Sequence, residues 1–296
     1  MKLFAPKYVR DFNCIADKCR HSCCVGWEID IDKDTLYKYR ASTHPYAERI
    51  RSSISGIDAH FTLCENDRCP HLNKNGLCEI ILNIGEDHLC EICREHPRFY
   101  NRVAQGMEQG IGLSCEEASR IILSSDSYDE IEEIGITDGD TEQGYDYTVQ
   151  RSVVYSLLSD RKIPYRERLE NIYASFSVTP EIREDSEWVD ILNSLEYLDE
   201  THRELFACYS SRIEECEKYE RELERALAYF IYRHCAKAES DGEFQEYLGF
   251  ALFCERLLAS LARANDCEIT ELARILSEEL EYSEQNTEDI VFEFCN

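Results

Sequence analysis

What this sequence lacks narrows it first. No stretch approaches the ~20 consecutive apolar residues that a membrane-spanning helix needs. The opening residues, Met1-Lys2-Leu3-Phe4-Ala5-Pro6-Lys7-Tyr8, hold no apolar h-region and no small-residue cleavage site, so no secretory signal is expected. No fixed-period repeat is present. Cations are scarce: 32 Lys and Arg stand against 60 Asp and Glu, a formal net charge of −28. Phosphate backbones are bound by clustered Lys and Arg, so nucleic acid is a poor partner for such a surface. A soluble cytoplasmic chain with no membrane partner is the expectation.

The 296 residues suffice for one large or two modest domains, and an apolar content of 43% is normal for a packed protein. The charge is unevenly spread. Residues 1–124 carry 16 Lys and Arg against 18 Asp and Glu, whereas residues 125–296 carry 16 against 42. The acidity therefore belongs to the second part. It reads either as solvated helix faces or as a field that steers a basic partner.

What is abundant is cysteine, at 16 residues, ten of them within the first 115. They run Cys14-x4-Cys19-x3-Cys23-Cys24, then Cys64-x4-Cys69-x8-Cys78-x11-Cys90-x2-Cys93-x21-Cys115. Thiols in the cytosol stay reduced, so dense and regularly spaced cysteines point to metal rather than disulfides. A thiolate is a soft anionic ligand suited to zinc, iron or an iron–sulfur cluster. Close pairs such as Cys23/Cys24 and Cys90/Cys93 can each supply two donors from one turn of backbone, and distant cysteines then close the shell. Buried cysteines acting as small hydrophobes account for one or two positions, not ten. The candidate ligands are Cys14, Cys19, Cys23, Cys24, Cys69, Cys78, Cys90, Cys93 and Cys115. His21, His71, His88 and His96 lie among them and would allow a site of three cysteines and one histidine. Cys208, Cys216, Cys235, Cys254, Cys267 and Cys295 sit singly on helical patterns and read as core or surface thiols.

The expected fold is mainly α: a cysteine-rich metal or iron–sulfur domain with short strands over 1–124, an acidic linker or loop over 125–147, and an acidic all-helical domain over 148–296. Trp27 to Asp32 alternates apolar and acidic residues, which predicts a short strand, and Phe61-Thr62-Leu63 predicts another. Asp32 or Asp34 is placed to cap a helix through Tyr37 and Tyr39. Short helices are predicted over Leu77–Leu82 and Asp87–Arg94, and a hairpin over 98–104 and 107–113 around Gly106. Ser114-Cys115-Glu116-Glu117 matches a capping box opening a helix through Ile121, Ile122 and Leu123. Beyond 148, apolar residues recur at helical spacing: Val149, Val153, Leu157, Leu158; Leu223, Leu227, Phe230, Ile231; Phe250, Leu252, Phe253, Leu257, Leu258, Leu261; Leu272, Ile275, Leu276, Leu280. Five to seven helices are expected there.

Phe12-Asn13-Cys14-Ile15, Cys23-Cys24-Val25-Gly26-Trp27, Cys69-Pro70-His71-Leu72-Asn73, Leu77-Cys78-Glu79-Ile80, Leu89-Cys90-Glu91-Ile92-Cys93, Pro97-Arg98-Phe99 and Leu113-Ser114-Cys115 together resemble the flagellin lysine-N-methylase family of the FliB type. The cysteine core is also similar to the wider group of CxxCxxCC zinc- or iron-chelating domains, with longer gaps in its first block. The likeness covers about residues 8–123, and Cys64 stands outside its order. It implies methyl transfer from S-adenosylmethionine to lysines of flagellin, with a cysteine-bound iron–sulfur cluster, 4Fe-4S in type, or zinc.

Two methyl-transfer signatures are missing. No Gly-x-Gly-x-Gly loop follows a strand, as a Rossmann-type enzyme requires. The radical motif Cys-x3-Cys-x2-Cys begins at Cys19 and Cys23, but Gly26 takes its third position. No catalytic base is singled out by the sequence. The alternative function is a non-catalytic zinc- or iron-binding protein, a metallochaperone or zinc-stabilised interaction module. A thiol redox enzyme using Cys90-x2-Cys93 lacks its βαβ context.

Overall fold

The computed structural model describes residues 1–139, 145–211 and 217–295. The chain divides into two compact units, one of residues 13–98 and one of residues 1–12 with 99–296. The protein is mainly α, as expected, with few and short strands.

The smaller unit is built from short pieces. Helix α1 (Lys33–Ala41) starts where Asp32 Oδ1 accepts the Thr35 N–H at 2.9 Å. Pro45 opens α2 (Pro45–Ser52), its fixed φ suiting a first helical turn. The strands β2 (Ile54–Ser55) and β3 (His60–Phe61) form a small antiparallel ribbon. The stretch expected as a strand before α1 forms an isolated antiparallel bridge rather than a strand, Asp30 with His60, where Phe61 donates to the Ile29 carbonyl at 3.0 Å and Ile31 to that of Ala59 at 2.8 Å. Helix α3 (Glu79–Ile84) stops at Gly85, whose φ of +91° suits glycine. Helix α4 (Glu91–Glu95) follows. Ile29, Ile31, Tyr39, Ile50, Phe61, Leu72 and Ile80 form the apolar core, together with Cys69 and Cys90.

In the larger unit a four-stranded sheet runs in the order β4 (Arg98–Val103), β5 (Gly106–Ile111), β1 (Lys2–Pro6), β6 (Ile131–Ile136). β1 pairs parallel to β5, with Lys2 opposite Gly106, and antiparallel to β6. A Cβ on Gly106 would lie 2.2 Å from the Lys2 carbonyl oxygen, so glycine is required there. After α5 (Glu116–Ser124) come eight helices among the described residues: α6 (Thr148–Leu158), α7 (Tyr165–Phe176), α8 (Asp185–Ser194), α9 (Thr201–Phe206), α10 (Glu220–His234), α11 (Asp241–Ala264), α12 (Ile269–Leu280) and α13 (Glu284–Phe292). The stripes read on α10, α11 and α12 are buried, and they join one core with Trp188.

Several expectations are corrected. The chain does not divide at 124. The N-terminal strand is captured by β5 and β6, so residues 1–12 and 99–124 belong with the helical part. Within the stretch expected to be a linker, 131–136 is the edge strand β6; residues 140–144 of that stretch lie outside the described residues. Its acids have local counter-charges: Glu133 meets Lys2 at 2.7 Å, Glu130 meets Lys7 at 2.6 Å and Glu132 meets Arg10 at 3.6 Å. The N-cap of α5 is Cys115, with no side-chain cap bond from Ser114 or Cys115. On α6 the buried face is Arg151, Val154, Tyr155 and Leu158, while Val149 and Val153 are exposed. Burial of Arg151 turns that helix away from the face that apolar spacing alone selects. The helix count rises to eight because α8, α9 and α13 are short.

Candidate metal centre

The smaller unit gathers thiols from four separate places in its chain. Cys23 and Cys24 lie in a turn fixed by Trp27, whose Nε1–H donates to the Cys23 carbonyl at 2.6 Å. The Cys69 N–H donates to the Cys24 carbonyl at 2.9 Å, which ties the second source to the first. Cys78 is the N-cap residue of α3 and Cys90 that of α4. Each is followed by a glutamate, Glu79 or Glu91, in the first helical turn, where a carboxylate suits the helix dipole. Asp32 sets the start of α4: its Oδ1 caps α1 while its Oδ2 accepts the Glu91 N–H at 2.8 Å. Tyr39 adds a bond from its hydroxyl to the His88 carbonyl at 2.6 Å. The loop that carries Cys90 and Cys93 is thus bolted to α1.

Cys24, Cys69, Cys78, Cys90 and Cys93 all pack on the apolar core of this unit, with Cys69 and Cys90 buried. They feel one another electrostatically. The charge of Cys24 acts on Cys69, Cys78 and Cys93, and that of Cys90 on Cys78 and Cys93. The Cys24 thiol is lowered to about 7, first by the bond from the Cys23 side chain, with Ser22 and Arg68 helping against burial. Cys69 is pushed up to about 12 and Cys78 is raised, both by burial. Cys90 and Cys93 have sulfurs 3.3 Å apart and share a proton, which lowers Cys90 and raises Cys93.

This donor set fits a thiophilic metal. It is soft, it includes one thiol, Cys24, close to its charged form at neutral pH, and it packs on apolar residues. Around one zinc ion, sulfurs at about 2.3 Å from the metal stand about 3.8 Å apart, close to the Cys90–Cys93 separation. Among the described residues, however, the group of metal-type donors whose atoms all lie within 4.8 Å of one another is His202, Glu278 and Glu279. No three of the five thiols lie that close to one another. The His202 group is held by protein instead. Glu279 accepts from His202 Nδ1 at 2.6 Å and from the Leu198 and Asp199 N–H groups at 2.7 and 3.1 Å.

Cys14 is exposed and accepts the Ala16 N–H at 3.4 Å, and the Cys19 thiol donates to the His21 carbonyl at 3.1 Å. Cys115 belongs to the larger unit, at the start of α5. Cys64 is exposed. His71 is fully buried with both ring nitrogens engaged, Nδ1 with the Tyr46 hydroxyl and Nε2 with the Ser53 hydroxyl, each at 2.9 Å. With both nitrogens occupied it is a core group rather than a ligand, and burial lowers it to about 4. His96 is lowered to about 4 by burial as well. Of the later cysteines, Cys235 and Cys254 are buried on helices, while Cys216 lies outside the described residues.

The larger unit holds buried carboxylates that pattern reading missed. Glu108 on β5 takes both prongs of Arg151, each at 2.7 Å, and the Tyr147 hydroxyl at 2.5 Å. Glu224 on α10 meets Arg168 at 2.6 Å and Arg161 at 2.8 Å. Glu281 meets His234 at 2.5 Å and Arg233 at 3.3 Å. A sequence signal for them exists in hindsight: acids such as Glu108 and Glu224 sit inside otherwise apolar strand or helix faces.

No family model matches the chain, and no solved structure matches it. It is 28% identical over 127 residues to the protein named Lysine-N-methylase in Salmonella choleraesuis, a match covering 40% of this chain and 32% of that protein. The same identity and coverage hold for the Lysine-N-methylase of Salmonella typhimurium. The protein named Flagellar biosynthetic protein FliU in Salmonella muenchen is 27% identical over 127 residues, covering 40% of this chain and 75% of that one. The chain thus spans about a third of the length of the two lysine-N-methylases. It is their distant relative.

Proposed function

We propose that this chain is a protein-lysine N-methylase that uses S-adenosylmethionine and acts on flagellin, with a cysteine-bound iron–sulfur cluster or zinc. The observation that carries the reading is the likeness to proteins named for lysine methylation and for flagellar biosynthesis. The gathered thiols support the metal half of it. Cys24, Cys69, Cys78, Cys90 and Cys93 would hold the group. Cys14, Cys19 and Cys23 precede them in the same unit, and Cys115 enters through the family resemblance. Thiolate donors of this kind serve an iron–sulfur cluster or a zinc ion. Bound there, the group would supply redox or Lewis-acid chemistry.

A lysine ammonium must lose its proton before its nitrogen can accept a methyl group. At a reference pKa of ~10.4 very little is neutral at pH 7, so burial or a base has to help. Glu108, Glu224 and Glu281 are each locked to arginine and are poor bases. Recruitment of a basic substrate segment by the acidic surface would rest on acids other than Glu130, Glu132 and Glu133, which already face Lys7, Arg10 and Lys2.

Co-expression with a flagellin, followed by mass spectrometry of its lysines, tests the activity. Methylated lysines are expected, and unmodified lysines beside a metal-loaded chain overturn the reading. The second reading, a zinc-stabilised interaction module, is favoured by the burial of Cys69 and Cys90 in the unit's own core. Anaerobic purification with iron, zinc and sulfide analysis separates the two: zinc alone, without inorganic sulfide, selects the module.

A further inference from the structure

One cavity in the larger unit has the opposite charge from the rest of its surface. It has a volume of about 510 Å³ and is lined by Arg161, Lys162, Arg168, Lys218 and Arg221, with Glu220 the one acid among its lining residues. Residues 125–296 carry 42 acids against 16 cations, so five cations converging on one hollow is not what composition alone would place there.

The walls keep a positive excess. Arg161 is held by Glu224 and Asp126 at 2.8 Å each, Arg168 by Glu224 at 2.6 Å and Arg221 by Asp126 at 3.3 Å. Two carboxylates therefore position three guanidiniums. Asp126 also takes Arg225 at 2.9 Å, which leaves it little charge to spare. The two lysines add to this. Lys218 bonds the Tyr219 hydroxyl at 2.9 Å, and Lys162 has no ion-pair partner among the described residues. Arg168 is buried, and its Nε has no hydrogen-bond partner. The lining also contains Ile163 and Pro164, which lead into α7, and Glu220, which opens α10. Both helices begin at the cavity, so the positive ends of two dipoles add to the field.

We propose that this cavity binds a small multivalent anion, a phosphate ester or a polycarboxylate. Its volume falls in the range of small-molecule sites, roughly 300–1,000 Å³. Fixed arginines suit planar or tetrahedral oxyanions, and the exposed lysines Lys162 and Lys218 neutralise further charge. The site is additional to methyl transfer and does not rest on that reading.

The test is isothermal titration of the full chain, purified with its metal, with sodium pyrophosphate and separately with sodium citrate at low salt. Saturable one-to-one binding is expected, weakening as salt is added. Lys162→Ala with Lys218→Ala should lower affinity about tenfold, which is about 1.4 kcal/mol, and Lys162→Glu with Lys218→Glu should abolish binding. Neither lysine holds the fold, so circular dichroism and the melting temperature should be unchanged. Pyrophosphate binding without citrate identifies a phosphate ligand, and equal binding identifies multivalent carboxylates as well. No saturable heat with either anion overturns the proposal, as does binding that survives charge reversal in a folded variant.

Discussion

The sulfurs of Cys90 and Cys93 stand 3.3 Å apart, on either side of the first turn of α4. Asp32 holds that turn through the Glu91 N–H. If this pair provides two metal ligands, Cys90→Ser and Cys93→Ser should each cut bound metal by more than half, measured by elemental analysis against protein concentration. Asp32→Asn keeps the shape and weakens the two backbone bonds, so it should lower metal affinity without removing a donor. Full metal content in both serine variants would show that ligation lies elsewhere.

His71 gives the complementary case. Its ring fills the core against Phe61, with centroids 4.8 Å apart, and joins Tyr46 to Ser53. His71→Ala should leave metal stoichiometry unchanged in the folded protein. It should destabilise by about 2–4 kcal/mol in denaturant unfolding, because it opens a cavity and removes one bond from each of two hydroxyls.

Glu108 and Arg151 form a buried ion pair between β5 and α6. Glu108→Ala leaves an uncompensated guanidinium and should cost about 3–5 kcal/mol. Replacing both residues with leucine and methionine should recover much of that loss. Urea denaturation of the single and double variants measures the difference.

Glu281 supplies a pH test. Burial would lift its carboxyl, but the Arg233 guanidinium, then His234 and Ser277, override burial and hold it at about 2. A depressed carboxyl contributes stability above its unfolded pKa near 4.5, and that contribution is lost as pH falls from 4.5 toward 2. The size is about 3 kcal/mol as an order of magnitude. His234 works in the same direction at higher pH: burial lowers it, so the unfolded chain gains a proton first as pH drops. Melting temperatures taken against pH should therefore fall more steeply for the wild-type chain than for Glu281→Gln below pH 4.5.

Much of this architecture is readable in the chain itself. The cap at Asp32, the turn at Gly106 and the stripes of α10, α11 and α12 each depend on neighbours within a few residues. So does the grouping of Cys90 with Cys93. What pattern reading missed depends on distant partners. β6 looks like a solvated acidic loop until Lys2, Lys7 and Arg10 are placed beside it. β1 carries no signal of its own, being five residues whose pairing lies a hundred residues downstream. α6 turns its arginine inward because Glu108, on another element, is there to receive it. His71 reads as a possible ligand until Tyr46 and Ser53 occupy its nitrogens. The cavity of Arg161, Lys162, Arg168, Lys218 and Arg221 draws on two helices and a loop, so no local window shows it.

The parallel neighbours β1 and β5 are separated in sequence by the whole cysteine unit. On the ribosome the first strand emerges, then waits for residues 13–98 to pass before its partner exists. If that insert is unstructured, joining the strands closes a long floppy loop, at an entropic cost greater by about 2 kcal/mol than closing a short one. If the insert has already condensed, the loop is effectively short. How early residues 13–98 condense would then set the timing of sheet assembly.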